Sequence, residues 1–196
     1  MIKSFLTRLT QFIVGALFIF SGLVKMNDPV GFSFKLEEYF SSEVLNLPFL
    51  EPLALPLAIL LVVIEVLLGA ALLLGLWTRW VLILLSAMIA FFTFLTFWSA
   101  YFNQVTDCGC FGDAIPLKPW ESFYKDVILS ALILVLWWGE SRIFSGWSKV
   151  LVQINLLAIP IFCAWFSYHV INHLPVEDFR PYAEGLSIAE GMKPAE

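Results

Sequence analysis

The sequence predicts an all-α, polytopic membrane helix bundle, and three observations predict it. Hydrophobic residues make up 60% of the 196 residues and charged residues 14%, against roughly 45–50% and about 25% in soluble domains. The apolar residues gather into stretches of membrane-spanning length with short polar segments between them, giving a mean hydropathy of +0.87. Nineteen Phe and eight Trp suit a lipid-facing surface with aromatic belts at its two interfaces. No stretch is basic enough to suggest nucleic acid, so the partners to expect are lipid and other proteins.

Five spans follow from this patterning, at about 9–25, 53–77, 80–102, 120–139 and 150–171. Together they make one membrane domain over 1–171, followed by a polar tail over 172–196. The first span opens after Lys3 and Arg8, as a signal peptide would. No small-residue cleavage pattern follows it, and Lys25-Met26-Asn27-Asp28-Pro29 comes instead, so an uncleaved first helix is expected. Gly15, Ala16, Ser21 and Gly22 give it small positions where another helix can come close.

Asp28 then caps a short helix with Pro29 at its first position. Phe32, Leu36, Tyr39 and Phe40 share one side of it, with Lys35, Glu37 and Glu38 largely on another, the pattern of a helix lying in the interface plane. The second span carries Glu65 near its centre and Gly69 one turn on. The fifth contains Pro160, a source of a kink. The tail combines Pro, Gly and Glu without apolar periodicity, which predicts an extended or disordered segment.

Basic residues near span ends set orientation. A cytoplasmic N-terminus puts Lys3, Arg8, Arg79, Arg142 and Lys149 on that side, with Glu140 as its acid. The reading is a multi-pass protein of the cell inner (cytoplasmic) membrane, N-terminus cytoplasmic and C-terminus extracytoplasmic. The loop between spans three and four then faces an oxidising compartment, where disulfides persist.

That loop, Asp107-Cys108-Gly109-Cys110-Phe111-Gly112-Asp113, is the first candidate for chemistry. Two thiols one residue apart allow three readings. A C-x-C disulfide closes a small strained ring, which makes it easily reduced and suited to exchange with a partner. The same pair could staple the loop structurally. Metal is disfavoured, since two Cys without a nearby His fall short of four ligands. Asp107 and Asp113 oppose thiolate formation, whereas Lys118 or Lys125 would favour it.

Glu65 is the second candidate. A carboxylate at bilayer depth is disfavoured by about 2.5 kcal/mol or more and turns toward the bundle interior. It reads either as a proton carrier or hydrogen-bond partner of a quinone-like ligand, or as a protonated acid bonded to a neighbouring Ser, Thr or Trp. Cys108, Cys110 and Glu65 are thus the expected catalytic residues. Lys25, Lys125 and Asp126, near one end of the first and fourth spans, are expected as a supporting ion-pair cluster beneath the cysteine loop, alongside Asp28. His169 and His173 sit at i,i+4, a spacing that can bind metal, but no third ligand is in sight. Cys163 reads as a core residue.

Three motifs carry a family resemblance. Ser21-Gly22-Leu23-Val24-Lys25 with Asp28-Pro29, the run from Glu65 through Gly69 to Leu72-Leu73-Leu74-Gly75-Leu76-Trp77-Thr78-Arg79, and Cys108-Gly109-Cys110-Phe111-Gly112 together resemble the DoxX/MauE-type redox-associated membrane proteins. The resemblance implies a DoxX-like four-helix core, here with a fifth transmembrane helix and a short interfacial helix. It also implies association with redox proteins and, for the MauE branch, a part in disulfide formation in a periplasmic partner such as a thioredoxin-like protein. Residues 174–182 are similar to the sequence that leads into an extra outer domain in some relatives. No cofactor motif is evident; a membrane quinone is the acceptor such chemistry would use. The competing expectations are a non-catalytic membrane anchor or assembly subunit of a redox complex and, with less support, a small transporter, for which no internal repeat argues.

Overall fold

Among the described residues six α-helices account for nearly all of the backbone: α1 Ile2–Asn27, α2 Pro29–Phe40, α3 Ala54–Leu74, α4 Thr78–Phe102, α5 Pro119–Trp138 and α6 Lys149–Asn172. A computed structural model describes residues 2–42, 44–102, 117–143, 148–173 and 175–177; among these there is no strand. Four helical stretches are long and apolar enough to cross a membrane, Lys3–Asn27, Pro48–Leu74, Thr78–Phe102 and Val152–Asn172, so the chain is a multi-pass membrane protein. The first and third of the remaining connections are tight. The second stretch includes a 3-10 turn over Pro48–Leu53 that leads into α3.

Helices α1 and α3 run antiparallel in very close contact. A Cβ built on Gly15 would lie 3.0 Å from the Gly69 carbonyl oxygen, and one built on Gly69 would lie 2.8 Å from that of Gly15. Only two glycines facing each other let the backbones touch in this way. The contact with Gly69 anticipated from sequence is therefore made by α1. Toward one end of this seam, Gln11 Nε2 donates to the Leu72 carbonyl at 2.8 Å. Helix α3 stops at Gly75, whose φ of +66° is the left-handed conformation that closes a helix. The Leu76 N–H reaches back to the Ala71 carbonyl at 2.9 Å, as a Schellman motif requires.

Helices α4 and α5 form a second antiparallel pair, built from bulk rather than from glycine. Phe97 and Phe123 meet with ring centroids 5.5 Å apart, and Trp137 Nε1 donates to Ser86 Oγ at 3.0 Å. The apolar core lies between the two pairs, around Val14, Leu72, Leu82, Leu85 and Leu136. Helix α5 has the length to cross but carries Glu121, Lys125 and Asp126.

Helix α2 buries Phe32, Ser33, Leu36, Tyr39 and Phe40 and leaves Glu37 and Glu38 exposed, packing its apolar side on α3. Asp28 caps it, Oδ1 accepting from the Gly31 N–H at 2.8 Å, with Pro29 in the first turn. Helix α6 lies against α3 through Cys163, which is fully buried among Met26, Ala58 and Val62; Leu157, Ile161 and Trp165 point outward. Pro160 is accommodated inside this helix without breaking it. After α6 the chain returns to the end of α1. The Asn27 side chain donates to the Glu177 carbonyl at 2.6 Å and accepts from the Glu177 N–H at 3.3 Å.

Candidate functional site

Lys25 occupies the last turn of α1, where the helix dipole favours a cation. Its side chain points inward, 3% exposed, and Nζ lies 2.8 Å from Glu65 Oε2, on a carboxylate 6% exposed. The glycine seam explains the meeting: with the α1 and α3 backbones in contact, residues 25 and 65 face each other at reach of a direct ion pair. Two aromatic faces flank the ammonium, Phe92 of α4 at 4.7 Å and Phe32 of α2 at 5.4 Å from Nζ to ring centroid. Such faces attract a cation while excluding water.

A second pair lies across from it. Asp126 of α5 is 1% exposed and its Oδ1 is 3.0 Å from Lys125 Nζ. The other oxygen, Oδ2, accepts from Thr96 Oγ1 of α4 at 3.1 Å. Lys125 is 24% exposed, so its ammonium touches the exterior while the carboxylate it pairs with does not. Both pairs, together with Ser21, line one cavity of about 40 Å³ whose remaining wall is apolar, including Phe18 and Phe92. Two cations and two anions make its formal charge zero. That balance is what permits the burial, because an uncompensated charge at this depth costs several kcal/mol.

The four residues are thus brought together, with partners that sequence patterning did not assign. Glu65 is paired with a lysine, not with Ser, Thr or Trp, and Lys25 is its partner. Lys125 and Asp126 pair with each other as neighbours in sequence. Thr96 and Ser21 belong to the site and were missed; each lies in an apolar run with no local signal beyond being a small polar residue at bilayer depth. Asp28 stands apart, spent on capping α2. Cys108 and Cys110 lie outside the described residues. The helices that flank their segment do not: α4 ends at Phe102 and α5 begins at Pro119, and within two turns of those ends they touch through Thr96–Asp126 and Phe97–Phe123.

Elsewhere, His169 and His173 stack with centroids 4.4 Å apart, and His173 Nδ1 is 2.9 Å from the His169 carbonyl oxygen. His169 is half-buried and His173 exposed, and among the described residues no group of His, Cys, Asp and Glu is arranged to hold a metal ion.

The family model described as methylamine utilisation protein MauE matches residues 3–139, and the chain belongs to this family. The match takes in α1 to α5, hence every residue of the cavity, and stops before α6. Protein TlpB of Flavobacterium psychrophilum is 28% identical over 145 residues, covering 71% of this chain. The chain spans only 38% of that curated relative's length. No solved structure matches it.

Proposed function

We propose that this MauE-family protein is a redox-associated membrane protein that exchanges disulfides with an extracytoplasmic, thioredoxin-like partner through Cys108 and Cys110 and passes the electrons to a membrane quinone. In the first step the loop disulfide takes two electrons and two protons from a partner dithiol. One partner thiolate attacks a loop sulfur, and the mixed disulfide is resolved by the partner's second thiol. In the second step the reduced loop returns two electrons and two protons to a quinone, giving quinol and the loop disulfide. One observation carries the reading: α4 and α5, the two helices that the two-thiol segment links in sequence, wall a buried, charge-lined cavity. A loop serving only as a connection would need no such charges on the helices it links, since each is expensive in a membrane.

A cavity of about 40 Å³, at about 10–15 Å³ per water, has room for roughly three waters, and the quinone ring is assigned elsewhere. The ring is better served by the aromatic surface of Phe97, Tyr101, Trp120 and Phe123 on the lipid side of α4 and α5. On this reading α5 crosses the membrane as a fifth span, its charges turned into the bundle, and the N-terminus is cytoplasmic. A second reading, a non-catalytic anchor or assembly subunit of a redox complex, is favoured by the complete pairing of Glu65, which a purely structural ion pair would also show.

Trapping decides between them. In Cys108→Ser or Cys110→Ser the one remaining loop thiolate, attacking the oxidised partner's disulfide in the reverse of the first step, should accumulate a mixed disulfide on a non-reducing gel, because the second loop thiol that would release the partner is gone. Cys110, nearer Lys118 and Lys125 in sequence, is expected to be the attacking sulfur that remains. In a background lacking native Cys, an impermeant maleimide on intact spheroplasts should label a cysteine placed at 118 and not one at 142. No trapped species in either variant, with physiological function kept in the double Ser variant, would leave the anchor reading. Labelling at 142 alone would invert the topology.

A further inference from the structure

We propose that the cavity is a hydrated proton relay in which Asp126 and Glu65 exchange a proton through water and Lys25 is the cation they share. Four observations lead there. The cavity has room for about three waters, and its polar lining, Ser21, Lys25, Glu65, Lys125 and Asp126, supplies the two to four partners each water needs. Exposure marks one entry: the Lys125 side chain at 24% reaches the exterior, whereas Asp126 at 1%, Lys25 at 3% and Glu65 at 6% are all closed off. A proton entering beside Lys125 meets Asp126 first, because Asp126 is the carboxylate paired with Lys125 at 3.0 Å, and Glu65 is reached across the cavity.

Charge balance supplies the third observation. When Glu65 takes a proton, Lys25 loses its counter-ion, and Asp126 on the opposite wall of the same small cavity is the carboxylate that can replace it. When the proton returns to Asp126, Lys25 returns to Glu65. The cavity keeps a net charge that differs by no more than the one proton in transit, which avoids the cost of an isolated buried ion. Fourth, Phe92 and Phe32 face the ammonium. A ring face attracts a cation with little demand on direction, so Lys25 keeps favourable contact in either position. From the surrounding elements, the titratable groups lining the cavity are Lys25 of α1, Glu65 of α3 and Lys125 and Asp126 of α5. Helix α4 adds the Phe92 ring and, through its bond to Asp126, the Thr96 hydroxyl.

The relay rests on the redox reading for its purpose alone: the two protons that the loop dithiol gives up must reach the quinone, and Asp126 lies on the helix pair whose aromatic surface would hold the ring. The test uses the full chain in lipid nanodiscs. Infrared difference spectra across a pH titration, in H₂O and in D₂O, should show a carboxylic-acid C=O band that shifts on exchange. In Glu65→Gln and in Asp126→Asn the remaining carboxyl should move its midpoint by about one pH unit, a tenfold change in its equilibrium. Unchanged midpoints, or a band insensitive to D₂O, would overturn the relay. If Asp126→Asn fails to fold, Ser21→Val serves, since it fills water space without touching a charge; it should abolish the D₂O shift, and a retained shift would overturn the proposal. A second arm follows oxidation of the loop thiols by a short-chain benzoquinone. About tenfold slowing in Asp126→Asn with mixed-disulfide trapping intact supports the relay, whereas a wild-type rate overturns it and leaves the redox reading standing. If neither Cys→Ser variant traps and the wild-type loop thiols are not oxidised, the redox reading fails, and the infrared arm alone decides the relay.

Discussion

The two helix pairs of this bundle perform one task by opposite means. Both bring a buried carboxylate to a partner. The α1–α3 pair does so by removing side chains: Gly15 and Gly69 let the backbones touch, and a lysine and a glutamate then meet head on. The α4–α5 pair does so by adding them, with Phe97 on Phe123 and Trp137 on Ser86 holding the helices apart while a threonine hydroxyl spans the gap to Asp126. The difference teaches where adjustment is possible. A glycine seam has one geometry, because backbone atoms cannot move aside, whereas aromatic side chains repack among rotamers at modest cost. The α1–α3 wall is fixed and the α4–α5 wall can give.

The strongest way to break that comparison is to strip the fixed wall of its carboxylate. Glu65→Leu leaves the Lys25 ammonium buried without its ion partner, a loss of about 3–5 kcal/mol. It should appear as a sharp drop in melting temperature in detergent, and Lys25→Met added to it should restore most of the drop. Without rescue, the pair would not be the reason for the loss. Next is the seam itself. Gly69→Val drives carbons into the Gly15 carbonyl and should cost about 3 kcal/mol, the upper end for an overpacked site, by the same melt. A wild-type melting temperature would show that the seam gives after all. The smallest effect tests the adjustable wall: Thr96→Val removes one hydrogen bond to a charged oxygen, about 1.5 kcal/mol. A loss as large as that of Gly69→Val would mean that both walls are equally rigid.

Much of this could be read from the chain alone. A membrane bundle follows from composition, the α2 helix from Asp28-Pro29 and its one-sided apolar pattern, and the importance of Glu65 from its cost in lipid. The close approach at Gly69 was legible as well, since small residues one turn from a buried acid have few other uses. The pairing was not. Which lysine meets Glu65 depends on the register between α1 and α3, forty residues apart in sequence for this pair, and no local period encodes it. Thr96 was hidden for a related reason: inside Phe94-Leu95-Thr96-Phe97 its hydroxyl also bonds back to its own helix, to the Thr93 carbonyl at 3.1 Å, as Thr93 does to the Ile89 carbonyl at 2.6 Å, and such a bond gives no sign of a second partner on α5. Helix α5 illustrates the converse, because the charges that give it a place in the site are the ones that weaken its apolar signal.

The Asn27 amide grips the backbone of Glu177 and takes no account of its side chain, so the attachment survives any sequence change there except proline, which would remove the donated N–H. Its effect is that of a mooring. The chain is thus held at the corner of α1 and α2, two residues from Lys25 in sequence, and α6 is joined to the end of α1 through the residues that follow it, so that the two cannot part at this corner without breaking both bonds.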